Sequence, residues 1–523
     1  MKNRRRLLWV YALSMLGSGM GFITQILVSG FWSTAFSQDV TFYSLNLAFY
    51  FLSLGIGTRW SRNLSDKPRV LFALVAALCL WCGLCISLLR LVIFQLNEAT
   101  PLAILIVCVA GALAGCVLPL ALRLFPEKSG ASLGTLFFVD YLAAIVFSLV
   151  FTFGLLLPWG YTGSAVALSL GGLVVLAGTT AWALGQARWV AFALLLALLP
   201  WPLARGVRYW VHVPEKPGAP KVLVSQQSHY QKIIVTEFQD DQGHTQNALY
   251  LDGFPQFMSG AEQLYHFCLV NLPIAAEQSL GRAVRHVLVL GGGDGLVARN
   301  LLAFSSIEQI EMVELDPAMV ELARTHPALT RHNENALQNP KVQVHLQDAF
   351  SWVRAQKQTY DLILIDLPSP KNLALARLFS VEFYRNVFAL LRPDGFVAIQ
   401  AGPYYAPPPA RGISTITAGV QRAVEAAGLK SSIYLTSRDA DAFVLGTRAE
   451  GFSMDSFSLN YGIQKDGRLS GVCQYDPTAV RPQVATNTLN TLPLATDAMR
   501  WYRQVHGMGF FFYRDFHGIF LPD

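Results

Sequence analysis

The stretch Val287-Leu-Val-Leu-Gly-Gly-Gly-Asp-Gly-Leu-Val-Ala-Arg-Asn300 predicts a buried strand that runs into a glycine turn and then into a helix. A short apolar run without alternation is typical of a strand that is covered on both faces, as in a parallel sheet. Glycines such as Gly291 and Gly293 allow φ > 0 and a close approach of a ligand to the backbone, and the following helix N-terminus offers free N–H groups. Because a glycine turn alone is weak support for a ligand site, the neighbouring strands decide its interpretation.

Acidic residues end the strands that follow this turn. The second strand, Ile310-Glu-Met-Val-Glu314, ends about 20 residues beyond the turn, where an acidic side chain holds ribose hydroxyls in dinucleotide-binding folds. A third and a fourth strand end at Asp348 and Asp366, and a fifth covers residues 395–400. Each acid taken alone is also compatible with a helix cap. Because the carboxyl ends of parallel strands meet at one edge of a sheet, the set predicts a ligand cleft there.

Long apolar runs are confined to roughly the first 205 residues. Seven of them are candidate membrane spans: 7–31, 40–57, 69–95, 101–124, 131–158, 162–186 and 189–204. A span needs about 20 apolar residues to cross ~30 Å of hydrocarbon, and the last run is the weakest because it is short and carries Pro200 and Pro202. A second apolar run follows the first at once, so we expect a retained first span rather than a signal peptide.

Basic residues predict the orientation of these spans. The N-terminus, Met1-Lys-Asn-Arg-Arg-Arg6, and the segment 59–69 are rich in Lys and Arg, which favours the cytoplasmic side for both. Seven full crossings would then place the C-terminal half outside the cell, where a nucleotide donor made in the cytosol is absent. We therefore expect that 189–204 does not cross fully. The protein would lie in the cell (inner) membrane with a cytoplasmic C-terminal domain.

Composition changes abruptly after Trp210, where prolines and Gly218 indicate a linker. The β-branched runs that begin at Lys221 and Lys232, followed by Ala248-Leu-Tyr-Leu-Asp-Gly253, predict a small antiparallel unit. The predicted fold is a multi-span α-helical membrane domain followed by an α/β Rossmann-like (methyltransferase-type) domain with a small N-terminal β unit. The predicted domains are a transmembrane domain at 1–210, a linker and small β unit at 211–282, a Rossmann-like domain at 283–450 and a C-terminal extension at 451–523.

Motifs between about Ser228 and Gln400 resemble the spermidine synthases, the polyamine aminopropyltransferases, and the apolar half resembles the multi-span segment fused to many bacterial members. The motifs are Tyr230-Gln231, Leu251-Asp-Gly253, Tyr265-His266, Gly291-Gly-Gly-Asp294-Gly295, Glu314, Asp348 and the strand 360–366, with a weaker match at 500–510. The resemblance implies transfer of an aminopropyl group from decarboxylated S-adenosylmethionine to an amine such as putrescine, with release of methylthioadenosine.

The resemblance also implies a role for individual residues. The methylthioadenosine part of the donor would be held by Gln231, Glu314 at the ribose, Asp348 near the adenine, Ala349, Gly291 and Gly293. The aminopropyl group or the amine would be contacted by Tyr265, His266, Asp294 and Ser369. Asp366 would be the general base. Clustered carboxylates attract both a cationic sulfonium and a cationic amine, and one of them must take a proton before nitrogen attacks carbon.

The acceptor side departs from the family pattern. The family's Asp-x-x-Asp-Pro is here Asp366-Leu-Pro-Ser369-Pro370, so a hydroxyl replaces one amine-binding carboxylate. The following Gly-Pro is replaced by Lys371-Asn-Leu, residues 261–262 are Ala-Glu rather than Asp-Glu, and the tyrosine-containing loop near 434–442 is Tyr-Leu-Thr-Ser-Arg-Asp-Ala-Asp-Ala. Two alternatives therefore stay open: an S-adenosylmethionine-dependent methyltransferase acting on a non-polyamine substrate, and a non-catalytic polyamine- or nucleoside-binding membrane sensor or transporter.

Charge and cysteine content exclude other classes. The net charge of +6 is mild, and short basic clusters flank apolar runs, so no nucleic-acid partner is expected. Of the seven cysteines, five lie in apolar runs, and Cys268 and Cys473 are far apart, which predicts neither a disulfide framework nor a metal site. We expect no permanently bound cofactor. The expected partners are a donor of the S-adenosylmethionine type, a small amine and the lipid bilayer, and a homodimer is left open.

Overall fold

The computed structural model describes most of the chain, in two compact units of which one holds the N-terminal helices and the other begins at Pro220. The described residues are 2–36, 40–95, 100–125, 133–185, 187–211, 220–240, 242–252, 254–259, 262–370, 372–403, 413–436, 441–453, 459–460, 464–465, 468–469, 472–475, 483–494 and 497–498. Ala261, Lys371, the linker residues 212–219, the loop residues 437–440 and the weaker motif at 500–510 lie outside these ranges.

The apolar runs of the first unit form helices. They are α1 (Lys2–Phe36), α2 (Val40–Trp60), α3 (Pro68–Gln95), α4 (Thr100–Arg123), α5 (Leu133–Leu149), α6 (Leu156–Leu184), α7 (Ala187–Ala197) and α8 (Pro200–Val211). A π-helical segment, Val150–Leu155, joins α5 to α6, and Gly160 interrupts the helical geometry inside α6 with a φ of 61°.

Within the described ranges, five helices are long and apolar enough to cross a membrane, fewer than the seven or so predicted. They cover Arg4–Ser33, Pro68–Leu91, Pro101–Arg123, Gly134–Leu155 and Pro158–Leu184. Helix α2 has 21 residues, but polar side chains such as the buried Asn46 lower its hydropathy. The last predicted run is divided between α7, of 11 residues, and α8, of 12 residues, and neither reaches the ~20 residues of a span.

Small residues let the helices of this unit pack closely. A Cβ added to Gly57 of α2 would lie 2.0 Å from the carbonyl oxygen of Ala112 in α4, and one added to Gly115 would lie 2.1 Å from the carbonyl oxygen of Leu54. Small residues in this role are typical of helix contacts in membranes. Asp140 of α5 accepts a hydrogen bond from Ser14 of α1 at 3.1 Å, so polar groups also join these helices.

The second unit begins with the predicted small antiparallel sheet, in the order β1-β2-β3-β4. Its strands are β1 (Lys221–Gln227), β2 (Lys232–Gln239), β3 (Thr245–Leu251) and β4 (Phe254–Met258). Asp252 adopts a φ of 51° between β3 and β4, and its Oδ1 accepts a hydrogen bond from the N–H of Lys232 at 2.9 Å. The turn is thereby tied to the start of β2.

A mixed nine-stranded sheet follows, which confirms the predicted Rossmann-like fold. Its strands are β5 (His286–Gly291), β6 (Gln309–Glu314), β7 (Val342–Leu346), β8 (Tyr360–Asp366), β9 (Leu391–Pro403), β10 (Lys430–Thr436), β11 (Asp441–Thr447), β12 (Leu459–Asn460) and β15 (Val472–Tyr475), whereas β13 (Gln464–Lys465) and β14 (Arg468–Leu469) pair separately. The helices are α9 (Glu262–His266), α10 (Leu272–Ser279), α11 (Leu296–Leu302), α12 (Pro317–Thr325), α13 (Pro327–Asn333), α14 (Ala349–Ala355), α15 (Leu373–Ala376), α16 (Val381–Ala389) and α17 (Thr415–Ala426).

The order of the strands in the large sheet determines where the ligand cleft lies. The order β12-β15-β10-β11-β9-β8-β5-β6-β7 puts β5 between β6 and β8, and β5 is parallel to both. The chain therefore leaves β5 in one direction to β6 and later returns on the other side to β8. Ligands of open α/β sheets bind at such a switch point, outside the carboxyl ends of the strands. The turn after β5 lies there, flanked by the ends of β6 and β8.

The two sheets of this unit share one core. Ile233 and Leu249 of the small sheet belong to the same buried cluster as Val287 of β5 and Met312 of β6. Strands β12 and β15, from the predicted C-terminal extension, continue the large sheet. The finer boundaries at 282/283 and 450/451 stay predictions, and much of 451–523 lies outside the described residues.

Candidate active site

The glycine turn after β5 has little space for side chains. Gly291 has a φ of 90°, and a Cβ there would lie 2.0 Å from the carbonyl oxygen of Asp366 on β8. A Cβ at Gly293 would lie 2.7 Å from Oε2 of Glu314 on β6. The glycine turn therefore packs its backbone directly against Asp366 at the end of β8 and Glu314 at the end of β6.

Replacing Gly291 by alanine is expected to lower stability more than replacing Gly292, its matched control. Gly292 also has a positive φ, 73°, but the nearest atom to a Cβ there is Val289 Cγ1 at 3.3 Å. Both variants carry a backbone strain of about 1–2 kcal/mol, and only the first adds a clash with a backbone atom. Thermal unfolding should show a lower midpoint for Gly291→Ala. Equal midpoints would contradict the steric argument.

Glu314 ends β6 with its carboxylate beside the glycine turn. Its Oε1 accepts hydrogen bonds from the N–H groups of Leu315, at 2.8 Å, and Asp316, at 3.0 Å. Burial raises the pKa of Glu314 to about 7, although these two N–H groups act in the opposite direction. The second oxygen, Oε2, lies against the turn, where a Cβ on residue 293 would be 2.7 Å from it, so glycine at this position lets the carboxylate approach the backbone.

Gln231 is held by Asp316, a residue that the motif search did not single out. The Gln231 amide donates to Asp316 Oδ2 at 3.0 Å, and the hydroxyl of Ser228 donates to the same oxygen at 2.7 Å. Asp316 Oδ1 accepts the N–H of Ala318 and so caps α12. The Asp316-Pro317 pair, typical of a helix start, is the sequence signal that could have found it.

Asp366 and Tyr265 form the centre of the acidic cleft. The Tyr265 hydroxyl donates to Asp366 Oδ1 at 2.5 Å. A Cβ at Gly292 would lie 3.6 Å from Asp366 Oδ2, so the second oxygen faces the glycine turn. Burial raises the pKa of Asp366, opposed by His266 and by the Tyr265 hydroxyl. Burial and then the carboxylates of Asp366, Asp441 and Asp294 hold the pKa of Tyr265 well above its usual range.

Asp294 and His266 carry interacting charges in the same cleft. Burial and the nearby Asp366 carboxylate raise the pKa of Asp294 to about 6. Burial alone would lower the pKa of His266, but its hydrogen bond to the Glu262 carboxylate and the charges of Asp294, Glu262 and Asp366 outweigh burial and raise the pKa. A protonated imidazole is therefore favoured beside these carboxylates.

Glu262 supports His266 from α9, and sequence reasoning assigned it no role. His266 Nδ1 lies 3.1 Å from Glu262 Oε2 and 2.8 Å from the Glu262 carbonyl oxygen. Arg299 Nη2 lies 3.1 Å from the same carboxylate oxygen. Burial would raise the pKa of Glu262, but His266 and Arg299 outweigh it and lower the pKa to about 2. Glu262 is thus an ionised anchor for both cations.

The remaining predicted residues lie at the rim of the cleft. Asp348 caps α14 by accepting the N–H of Ser351 at 3.1 Å, and Arg377 Nη2 binds its other oxygen at 2.7 Å. Ala349 is the buried first residue of α14. Ser369 lies beyond β8, and a Cβ at Gly402 would be 3.5 Å from its hydroxyl oxygen. The cap interpretation and a ligand role are compatible for Asp348, since its carboxylate is partly exposed.

Comparison with known proteins agrees with this geometry. The spermine/spermidine synthase domain family matches residues 262–407, which include α9, the glycine turn and β8. Polyamine aminopropyltransferase 1 of Streptomyces coelicolor is 31% identical over 406 residues, covering 75% of this chain and 75% of that protein. The polyamine aminopropyltransferase of Mycobacterium tuberculosis is 35% identical over 400 residues, covering 71% of this chain and 73% of that protein.

Among solved structures, a spermidine synthase in complex with the transition-state analogue AdoDATO is 23% identical, with a TM-score of 0.37 and coverage of 44% of this chain and 74% of that chain. The sequence match to the Streptomyces protein is longer than the segment from 220 to 523, so it extends into the N-terminal helices. These relatives do not favour the methyltransferase or binding-only alternatives. By the extent and identity of these matches, the chain belongs to the polyamine aminopropyltransferase family.

Proposed function

We propose that the protein transfers the aminopropyl group of decarboxylated S-adenosylmethionine to a small amine and releases methylthioadenosine. The observation that carries the proposal is the position of the Asp366 carboxylate. It accepts the Tyr265 hydroxyl at 2.5 Å and faces the glycine turn. His266 is close enough to oppose the rise of the Asp366 pKa, and Asp366 in turn raises the pKa of Asp294. A carboxylate base beside a glycine turn that can hold a nucleoside is suited to deprotonating an amine, which then attacks the sulfonium donor.

The donor side of the proposal rests on the β5 and β6 ends. Glu314 would accept both ribose hydroxyls, because its carboxylate ends β6 directly beside the glycine turn, with Oε2 close to Gly293. Gln231, fixed by Asp316, would contact the same nucleoside from the small sheet. Asp348 and Ala349, at the start of α14, would face the adenine, and Gly291 and Gly293 would let the nucleoside approach the backbone.

The chemistry proposed for the acceptor side is a single displacement. Asp366 would take a proton from the incoming ammonium, whose nitrogen then bonds to the aminopropyl carbon next to sulfur. The carbon–sulfur bond breaks, and its electron pair stays on the sulfur of neutral methylthioadenosine. Tyr265 would position the base through its hydrogen bond, and Asp294, with His266 and Ser369 beside the cleft, would orient the amine and the aminopropyl chain.

Product identification tests the proposal. Purified protein is incubated with a panel of amines and either decarboxylated or ordinary S-adenosylmethionine, and the nucleoside products are identified by mass spectrometry. Methylthioadenosine formed only with the decarboxylated donor and an amine is the expected result. S-adenosylhomocysteine would instead assign a methyltransferase, and the absence of both products would favour a binding-only protein.

Nucleoside affinity is expected to rise with pH. Because burial raises the pKa of Glu314 to about 7, the carboxylate is largely protonated below that value and accepts ribose hydroxyls poorly. Deprotonation is linked to binding, so methylthioadenosine should bind about tenfold more weakly at about pH 6 than at about pH 8. Calorimetric titration of methylthioadenosine into the wild type and into Glu314→Gln at both pH values checks this. The variant should lose most of the pH dependence of its affinity. An equal dependence in both would contradict it.

We also propose that the first unit spans the cell membrane and leaves the second unit in the cytoplasm. The exposed Arg4, Arg5 and Arg6 lie at the start of α1, and Arg59, Arg62 and Lys67 lie at the end of α2 or just after it, so we expect both basic segments on the cytoplasmic side. Helix α2 must then cross as well, and its 21 residues reach about 31 Å. With the five apolar helices this makes six crossings, an even number, while α7 and α8 stay at the surface.

Reporter fusions are expected to place residue 523 inside the cell. A fluorescent reporter that folds in the cytoplasm, fused after Asp523, should be active, and an alkaline phosphatase fused there should be inactive. The matched control is the same pair fused at Asn97, between α3 and α4, where the phosphatase should be active. Phosphatase activity after Asp523 would overturn the six-crossing topology.

A further inference from the structure

A carboxylate to which the sequence patterns assigned no role lies on the Tyr265 side of the cleft. Asp441 begins β11, which is antiparallel to β9, so it lies at the sheet edge where the parallel strands end. Its neighbour in the pairing is Pro403, the last residue of β9. Asp441 is half-buried. The start of β11 and the end of β8 are therefore parts of one rim.

The direction of the Asp441 side chain follows from Phe443. The Phe443 ring packs edge-on against Tyr265, with 5.1 Å between ring centroids. The irregularity between these strands lies in β9, where Gln400 and Pro403 oppose Phe443 and Asp441, so alternation along β11 is regular. Residues two apart on a strand share a face. Asp441 and Phe443 thus both face Tyr265, and the Asp441 carboxylate adds to the field that raises the pKa of the Tyr265 hydroxyl.

A second ammonium in the acceptor half of the cleft would be balanced by a carboxylate in addition to Asp294, whose charge interacts with His266. Ser369 supplies only a hydroxyl, and Asp366 is engaged by Tyr265 and by the reacting amine. A linear diamine carries a second ammonium that also leaves water on binding. Strand β9 separates β8 from β11, so the Asp366 and Asp441 backbones are about 10 Å apart or more, with both side chains reaching towards the space around Tyr265.

We propose that Asp441 binds the distal ammonium of a linear diamine acceptor, in place of the carboxylate that Ser369 replaces. This inference rests on the proposed aminopropyl transfer and names its acceptor class. Asp441 makes the site select diamines over monoamines of equal length, because a methyl end gains nothing from a half-buried carboxylate.

The test compares 1,4-diaminobutane with 1-aminobutane in the wild type, Asp441→Asn and Asp441→Glu. Steady-state kinetics give KM, and calorimetry with saturating methylthioadenosine gives amine affinity without turnover. Asp441→Asn should weaken the diamine about 10- to 100-fold, with kcat, monoamine affinity and methylthioadenosine affinity changed less than about threefold. Asp441→Glu should stay within a few-fold of the wild type for the diamine.

Each other outcome is decisive. An active enzyme whose diamine KM and affinity are unchanged in Asp441→Asn overturns this inference and leaves aminopropyl transfer standing. If Asp441→Asn weakens the binding of both amines equally, Asp441 has a structural role and the inference is overturned. The same holds if both variants lose methylthioadenosine affinity in parallel. A wild type that releases no methylthioadenosine with any amine instead overturns the proposed function, and the acceptor assignment falls with it.

Discussion

Replacing Asp366 by asparagine is expected to lower kcat by about 10²–10⁴, the usual contribution of a general base. Asparagine keeps the size of the side chain, and its amide oxygen still accepts the Tyr265 hydroxyl that lies 2.5 Å from the native carboxylate. What is lost is the basicity that burial provides by raising the pKa of Asp366. An ammonium that keeps its proton has no lone pair for attack, so turnover is slowed at that step.

Two controls separate this effect from damage to the fold. Methylthioadenosine affinity of Asp366→Asn should stay within a few-fold of the wild type, because Gln231 and Glu314 do not depend on Asp366. Asp361→Asn changes the same residue type at the other end of β8, where Asp361 Oδ2 accepts the N–H groups of Arg285 and His286. That variant should lose stability and keep its kcat. Near-normal turnover of Asp366→Asn with amines would exclude the proposed mechanism.

Replacing Glu314 by alanine is expected to weaken nucleoside binding by roughly ten- to a hundredfold. A hydrogen bond to a charged group contributes about 1.5–3 kcal/mol, and each 1.4 kcal/mol corresponds to about a factor of ten. Truncation also releases the N–H groups of Leu315 and Asp316, which donate to Glu314 Oε1 in the native protein. The loss should appear in the KM of the donor and in the calorimetric affinity for methylthioadenosine.

Glu311→Ala is the matched control, because it removes the same residue type from the same strand. Glu311 is buried beside His345, whose Nε2 lies 3.2 Å from its carboxylate, away from the glycine turn. We expect Glu311→Ala to lower the thermal midpoint and to leave nucleoside affinity unchanged. Unchanged methylthioadenosine affinity in Glu314→Ala would remove Glu314 from the donor site.

The sequence predicted the sheet because local pattern and global fold agree there. The run at 287–290 is apolar without alternation, which is what burial on both faces of a parallel sheet requires. The acidic ends of β6 and β8 were placed correctly at one edge because connectivity fixes strand direction. The small antiparallel sheet followed from β-branched runs separated by turn residues.

What sequence patterns missed depends on contacts between distant residues. Glu262 anchors His266 and Arg299, which is 37 residues away, and no local pattern encodes that pairing. Asp441 faces Tyr265 only through the pairing of β11 with β9. About seven apolar runs were predicted, whereas five helices of the described ranges are long and apolar enough to cross a membrane, because α2 carries polar side chains and the weak last run is divided between α7 and α8.

The carboxylate of Asp316 limits which segments of this protein can be exchanged with those of a relative in a chimera. It caps α12 in the large sheet's half of the unit, and its other oxygen accepts hydrogen bonds from Ser228 and Gln231 in the turn between β1 and β2. A chimera that exchanges residues 221–258 with a relative must therefore match the Ser228 and Gln231 positions as well as the apolar face. Without that match, Oδ2 of the buried Asp316 carboxylate would lose both side-chain donors, although Oδ1 would still cap α12. The graft would then disturb the nucleoside pocket, although residues 221–258 include none of the acids of that pocket.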